Sequence, residues 1–123
     1  MRFITDRVLA GKIKKLEPKE KRVLTVKQIE RKVQTRLFKE LSHAKMEVST
    51  LAGKIDILTD TQLIEIKEWK KWKEAIGQVL CYGKYYPEHE KRIHFFGDAD
   101  DKFIELVKNH CSDHGIVVTW EIN

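Results

Sequence analysis

At 123 residues, the chain has room for one compact domain with a real core and none for two independent ones. An apolar share of 41% beside a charged share of 35% excludes a disordered chain and describes a modest core under a charged surface. No apolar run approaches the roughly 18 residues of a membrane span and no apolar secretory segment opens the chain, so a soluble, intracellular protein without a membrane partner is expected.

The net charge of +5 is unevenly spread, with 14 Lys/Arg against 5 Asp/Glu in residues 1–45 and 10 against 14 thereafter. A basic first third beside an acidic remainder fits a phosphate-seeking surface attached to a part that gathers carboxylates. Residues 1–25 read as a basic arm, with a charged stretch at 12–22 around Pro18, and residues 26–123 as the folded domain. Cys81 and Cys111 show neither CxxC nor disulfide-like spacing, and both are expected to be reduced packing residues.

Thr25 followed by Gln28 is a capping-box pattern, and Ile29, Val33, Leu37 and Leu41 place one apolar stripe on a helix over 26–42. Strands follow at 46–51, 54–59 and 62–69, separated by turns at Ala52-Gly53 and Asp60-Thr61. Trp72, Ala75, Ile76, Val79, Leu80 and Gly83 then mark a second helix over about 70–86, ended by Pro87. A strand at 92–96, a helix from Asp98 to about His114 stopped by Gly115, and a strand at 116–122 complete the chain. The order αβββαβ followed by αβ predicts an α/β fold, a mixed central sheet flanked by helices.

The second hairpin gathers the chemistry. A loop centred on Asp60-Thr61 pairs residues so that Asp56 lies opposite Glu65 and Lys54 opposite Lys67. Strand alternation puts Ile55, Ile57, Ile64 and Ile66 on one face and Asp56, Glu65 and Lys67 on the other. Two facing carboxylates destabilise a strand pair unless something compensates, and a divalent cation would. The same pattern also describes a solvent-facing hairpin whose Asp and Glu are merely the polar members of an alternation.

Gly53-x-x-Asp56, Glu65-x-Lys67 and Gln78-x-x-x-Tyr82 succeed one another in the order of a known family. Over about residues 26–96, the sequence resembles the PD-(D/E)XK nuclease superfamily, in particular the RecB-like branch with a QxxxY motif. The resemblance implies a restriction-endonuclease-like core and a Mg²⁺-dependent nuclease, with Mn²⁺ as substitute, that hydrolyses DNA phosphodiester bonds through metal-activated water. It implies Asp56, Glu65 and the Ile66 carbonyl as metal ligands, Lys67 as a catalytic residue, and Gln78 and Tyr82 flanking the site. Glu30 is the first candidate for the family's additional acidic residue, with Glu47 second. Ile55 stands where the family name has proline.

Lys54, Lys70, Lys71 and Lys73 are the expected phosphate contacts beside the site, with Trp72 assigned to the core. His110, Cys111 and His114 share a helix turn but lack the further ligands of a zinc site. His43, close to the end of the first helix, resembles the histidine of cap-snatching RNA endonucleases, a branch of the same superfamily, but reads more simply as a helix-ending surface residue. Alternatives to a DNA nuclease are a catalytically weak nucleic-acid-binding module on the same fold and an RNA-directed nuclease. A homodimer or a larger complex fits a chain with little room for specificity elements.

Overall fold

Thr25 starts the first helix as its spacing predicts. Its hydroxyl accepts from the Gln28 N–H at 3.1 Å while the Gln28 side chain accepts from the Thr25 N–H at 2.8 Å, which satisfies two of the amides a helix start leaves open. In the computed structural model, which describes residues 24–122, this helix, α1, spans Val26–Glu40. It stops two residues before the predicted end because Leu41 is extended and His43 adopts a left-handed φ of 51° that turns the chain into the sheet. The predicted arm, residues 1–25, lies outside the described residues apart from Leu24 and Thr25.

Five strands follow the predicted sequence of elements: β1 (Lys45–Thr50), β2 (Gly53–Leu58), β3 (Gln62–Glu68), β4 (Glu90–Phe96) and β5 (Ile116–Trp120). They form one sheet in the order β1-β2-β3-β4-β5, the first three antiparallel and the last three parallel. Parallel neighbours need crossovers. The β3–β4 crossover carries α2 (Trp72–Gly83) and the β4–β5 crossover carries α3 (Asp101–Asp113), N-capped by Asp100, whose carboxylate accepts from the Phe103 N–H at 2.9 Å. The fold is therefore α/β, a mixed sheet flanked by helices.

Two buried layers hold it. Ala75, Val79 and Tyr82 of α2 and Val107 and Cys111 of α3 pack with Leu63, Ile93 and Phe95 on one side. On the other, Val33 and Leu37 of α1 pack with Ile57, Ile64, Ile66 and Phe96. Each fully buried aliphatic of this kind contributes about 1.5–3 kcal/mol. No helix among the described residues is long and apolar enough to cross a membrane.

Several local expectations are corrected. The second helix begins at Trp72, after a 3-10 turn at Trp69–Lys71, because Trp69 turns into the core and stacks on Phe95 with ring centroids 4.4 Å apart. It ends at Gly83, and the stretch to Tyr86 is a run of tight turns, so Pro87 follows the end rather than making it. Leu80 and Cys81 face outward, since α2 buries only a narrow stripe against the sheet. Trp72 is only partly buried, packing against the core edge and leaning on His110.

Candidate functional site

Ile57 pairs with Ile64 and Leu58 with Leu63, the register that the Asp60-Thr61 loop predicts. Beyond those pairs the ladder gives way to side chains. The Ile66 N–H donates to Asp56 Oδ2 at 2.8 Å, and the Asp56 N–H donates to Glu65 Oε2 at 3.2 Å. The Asp56 carbonyl accepts instead from Gln34 Nε2 of α1 at 3.0 Å, and the same nitrogen donates to Glu47 Oε2 at 2.8 Å.

Strand β1 is distorted at the same level. Met46 pairs with Ile57 and Val48 with Ile55, but Glu47 between them takes a φ of 55°, a conformation that non-glycine residues adopt at a cost of about 1–3 kcal/mol. Both strands change sides there. Met46 and Ile57 pack in the α1 layer, whereas Val48 and Ile55 pack in the α2 layer. The expected alternation, with Ile55 and Ile57 on one face, is thus interrupted at Asp56.

The interruption draws the carboxylates inward. Glu65 is only 3% exposed; burial and then the neighbouring Asp56 push its carboxyl up to about 9, with Lys67 pulling the other way. Burial also raises Asp56, opposed first by the Ile66 N–H and then by its hydrogen bond with Glu65. Two acids this close cannot both ionise cheaply, so the pair holds a proton near neutral pH. Glu30 is raised chiefly by its own burial and lowered by Lys67.

That donor set fits a hard divalent cation. Mg²⁺ commonly takes one or two carboxylates and keeps waters for the remaining positions, and a dication would replace the proton that now relieves the Asp56–Glu65 repulsion. Among the described residues, no group of three or more His, Cys, Asp or Glu side chains is placed to hold a metal ion, so a cation on the Asp56–Glu65 pair would rely on water and main-chain oxygens for its other ligands. His110, Cys111 and His114 do not form such a group either: Cys111 is buried in the core, His110 tilts against Trp72 and His114 bonds the His110 carbonyl. His94 pairs in register with Ile66 across the β3–β4 ladder, and its ring nitrogens are engaged by Thr119 and Glu121.

Lys67 and Glu30 face each other across a cleft of about 350 Å³ between the starts of α1 and α2, which Lys27 and Lys71 also line. A second hollow of about 220 Å³, which Lys27 and Glu30 also line, reaches Gln34, Glu47 and Asp56. Of the four predicted phosphate-binding lysines, Lys71 is brought to the cleft. Lys54, Lys70 and Lys73 are exposed outside its lining, Lys73 lying over the Trp72 ring. The Ile66 side chain belongs to the α1 layer while its N–H holds Asp56.

Tyr82 is buried beneath the hairpin, and its hydroxyl is raised by burial and then by the charges of Glu65 and Asp56. One turn earlier, the Gln78 side-chain oxygen is buried with no hydrogen-bond partner among the described residues. Gly53 has a φ of 135°, and a methyl group there would sit 2.9 Å from Tyr82 Oη. Gly53→Ala is therefore expected to cost about 1–3 kcal/mol, to lower the melting temperature and to shift the Tyr82 ring resonances. An unchanged melting temperature would contradict the close packing.

Sequence reasoning missed Gln34 and Lys27. Gln34 had a readable signal, since it follows Glu30 by four residues and so shares its helix face.

No family model matches the chain, and no solved structure does. Three proteins of Acanthamoeba polyphaga mimivirus, each named as KilA-N domain-containing, are similar in sequence. One is 41% identical over 73 residues, 59% of this chain and 20% of the relative. A second is 37% identical over 81 residues, 66% of this chain and 32% of the relative. A third is 43% identical over 87 residues, 71% of this chain and 23% of the relative. The chain thus spans about a fifth to a third of the length of these relatives.

Proposed function

We propose that this chain is a metal-dependent nuclease module of the PD-(D/E)XK type, with DNA as its substrate. The observation that carries the reading is the opened β2–β3 hairpin, where Asp56 and Glu65 replace ladder hydrogen bonds and a half-buried Lys67 stands beside them. Carboxylates are crowded against desolvation and repulsion where polar alternation alone would leave them in water, and such perturbed groups concentrate at functional sites. The partnerless Gln78 oxygen and the buried Tyr82 next to this pair support the same reading.

Asp56 and Glu65, with the Ile66 carbonyl, would hold the cation, Mg²⁺ or Mn²⁺. Bound there, it supplies Lewis-acid polarisation of a phosphoryl oxygen and a water of lowered pKa. Lys67 places its ammonium where negative charge grows on the phosphoryl oxygens as water adds to phosphorus and the leaving oxygen departs. Lys27 and Lys71 steady the flanking phosphates in the cleft, and Glu30, raised by burial, takes or returns a proton at its mouth. The similarity to segments of much longer relatives supports a module that works beside other domains, which would supply specificity.

Supercoiled plasmid, linear duplex, single-stranded DNA and RNA incubated with Mg²⁺, Mn²⁺ or EDTA test this. Cleavage that needs metal and disappears in Asp56→Ala is expected. Binding that persists in EDTA with every substrate left intact would make the chain a binding module on this fold instead.

A further inference from the structure

We infer that Gln34 is a positioning residue of this centre, acting through Glu47 and the Asp56 main chain; the inference rests on the nuclease reading above and deepens it. Gln34 is 4% exposed, one of three buried polar or charged side chains among the described residues. A glutamine on the inner side of a helix costs stability unless its amide is matched. Here a single nitrogen, Nε2, uses its two hydrogens on two strands, the Glu47 carboxylate of β1 at 2.8 Å and the Asp56 carbonyl of β2 at 3.0 Å.

Both partners lie where the sheet departs from regular pairing. Glu47 is the residue of β1 with the left-handed φ, and Asp56 is the residue of β2 whose main chain is satisfied by side chains on both its N–H and its carbonyl. Asp56 is paired in neither the β1–β2 nor the β2–β3 ladder, so its carbonyl has no strand partner, and a carbonyl left unmatched away from water costs stability. Gln34 removes that cost and so favours the opened hairpin that presents Asp56 and Glu65. The same amide holds the Glu47 carboxylate against the hollow that Asp56 and Glu30 line. Glu47 and Asp56 line the same hollow, so the position of the Glu47 carboxylate sets the negative potential that a cation meets there.

Leucine at position 34 fills the same volume and keeps the helix but offers no donor. Gln34→Leu is expected to remain folded, with an unchanged far-ultraviolet circular dichroism spectrum, and to bind Mn²⁺ at least about tenfold more weakly in titrations followed by water-proton relaxation, the equivalent of about 1.4 kcal/mol. A lost α1–sheet bond that mattered only for packing would act independently of Glu47. Because the Glu47 route is already gone in Glu47→Ala, the double variant Gln34→Leu/Glu47→Ala is expected to lose less Mn²⁺ affinity than the two single losses summed. Unchanged Mn²⁺ affinity in folded Gln34→Leu, losses that add in the double variant, or a Gln34→Leu chain that does not fold would each overturn the positioning role and leave the nuclease reading intact. Wild-type protein that binds no Mn²⁺ would overturn the nuclease reading and this inference with it.

Discussion

Lys67→Ala is expected to lower metal-dependent DNA cleavage by about 10²–10³-fold, the usual loss when one preorganised group facing a developing charge is removed, while Mn²⁺ still binds. The split follows from what Lys67 does in the metal-free protein. It lies close enough to Asp56, Glu65 and Glu30 to pull all three carboxyls down against burial, yet it forms none of the hydrogen bonds that hold the opened hairpin. Removing it takes a positive charge away from the cation's seat, so metal affinity should hold or rise, and only the step in which negative charge grows on the phosphoryl oxygens should suffer. Single-turnover cleavage of plasmid and Mn²⁺ titration of the same preparation separate the two. Cleavage unchanged in Lys67→Ala would remove Lys67 from the chemistry; cleavage and metal binding lost together would make it part of the metal seat.

The fold was legible because its signals are local. The Thr25–Gln28 capping box, the i, i+4 stripe of α1, the turn residues and the change of period at Trp72 each report the conformation of a few adjacent residues. The register of the hairpin tip, Ile57 with Ile64 and Leu58 with Leu63, was legible for the same reason, since a short loop dictates the register of its hairpin. The Asp56–Glu65 and Lys54–Lys67 pairs that the same register implies are absent from the ladder, which gives way to side-chain bonds. What the sequence concealed is the departure from regularity. Alternation predicts Ile55 and Ile57 on one side, and nothing in Glu47 announces a left-handed residue inside a strand. That conformation comes from tertiary contacts, namely Gln34 reaching across from α1 and Asp56 and Glu65 bonding each other's strands. The cleft is equally non-local. Lys71 lines it and Lys70 and Lys73 do not, because the 3-10 turn at Trp69–Lys71, set by the stacking of Trp69 on Phe95, rotates the start of α2 away from a simple helical projection.

Glu65→Gln is expected to stabilise the metal-free protein at alkaline pH while abolishing its response to metal. A carboxyl raised in the folded state from an ordinary 4.5 to about 9 contributes stability that is fully present below its unfolded value. That contribution is lost as pH rises through the folded value, because the unfolded chain releases the proton first. In EDTA, the wild-type melting temperature should therefore fall between about pH 5 and pH 9, with each kcal/mol lost moving it by about 4–8 °C in a domain of 60–100 residues. Glutamine is neutral at every pH, keeps a side-chain oxygen to accept from the Asp56 N–H, and never places a second negative charge beside Asp56. Glu65→Gln should accordingly show a flatter profile and melt above wild type at pH 8, with the two converging at pH 5. Added Mg²⁺ should restore the alkaline stability of wild type, since a dication stabilises the ionised pair that the proton otherwise relieves, and should do nothing for Glu65→Gln. Parallel pH profiles in EDTA would show that Glu65 is not the group that carries the proton. Equal stabilisation of both proteins by Mg²⁺ would place the cation elsewhere than on the Asp56–Glu65 pair.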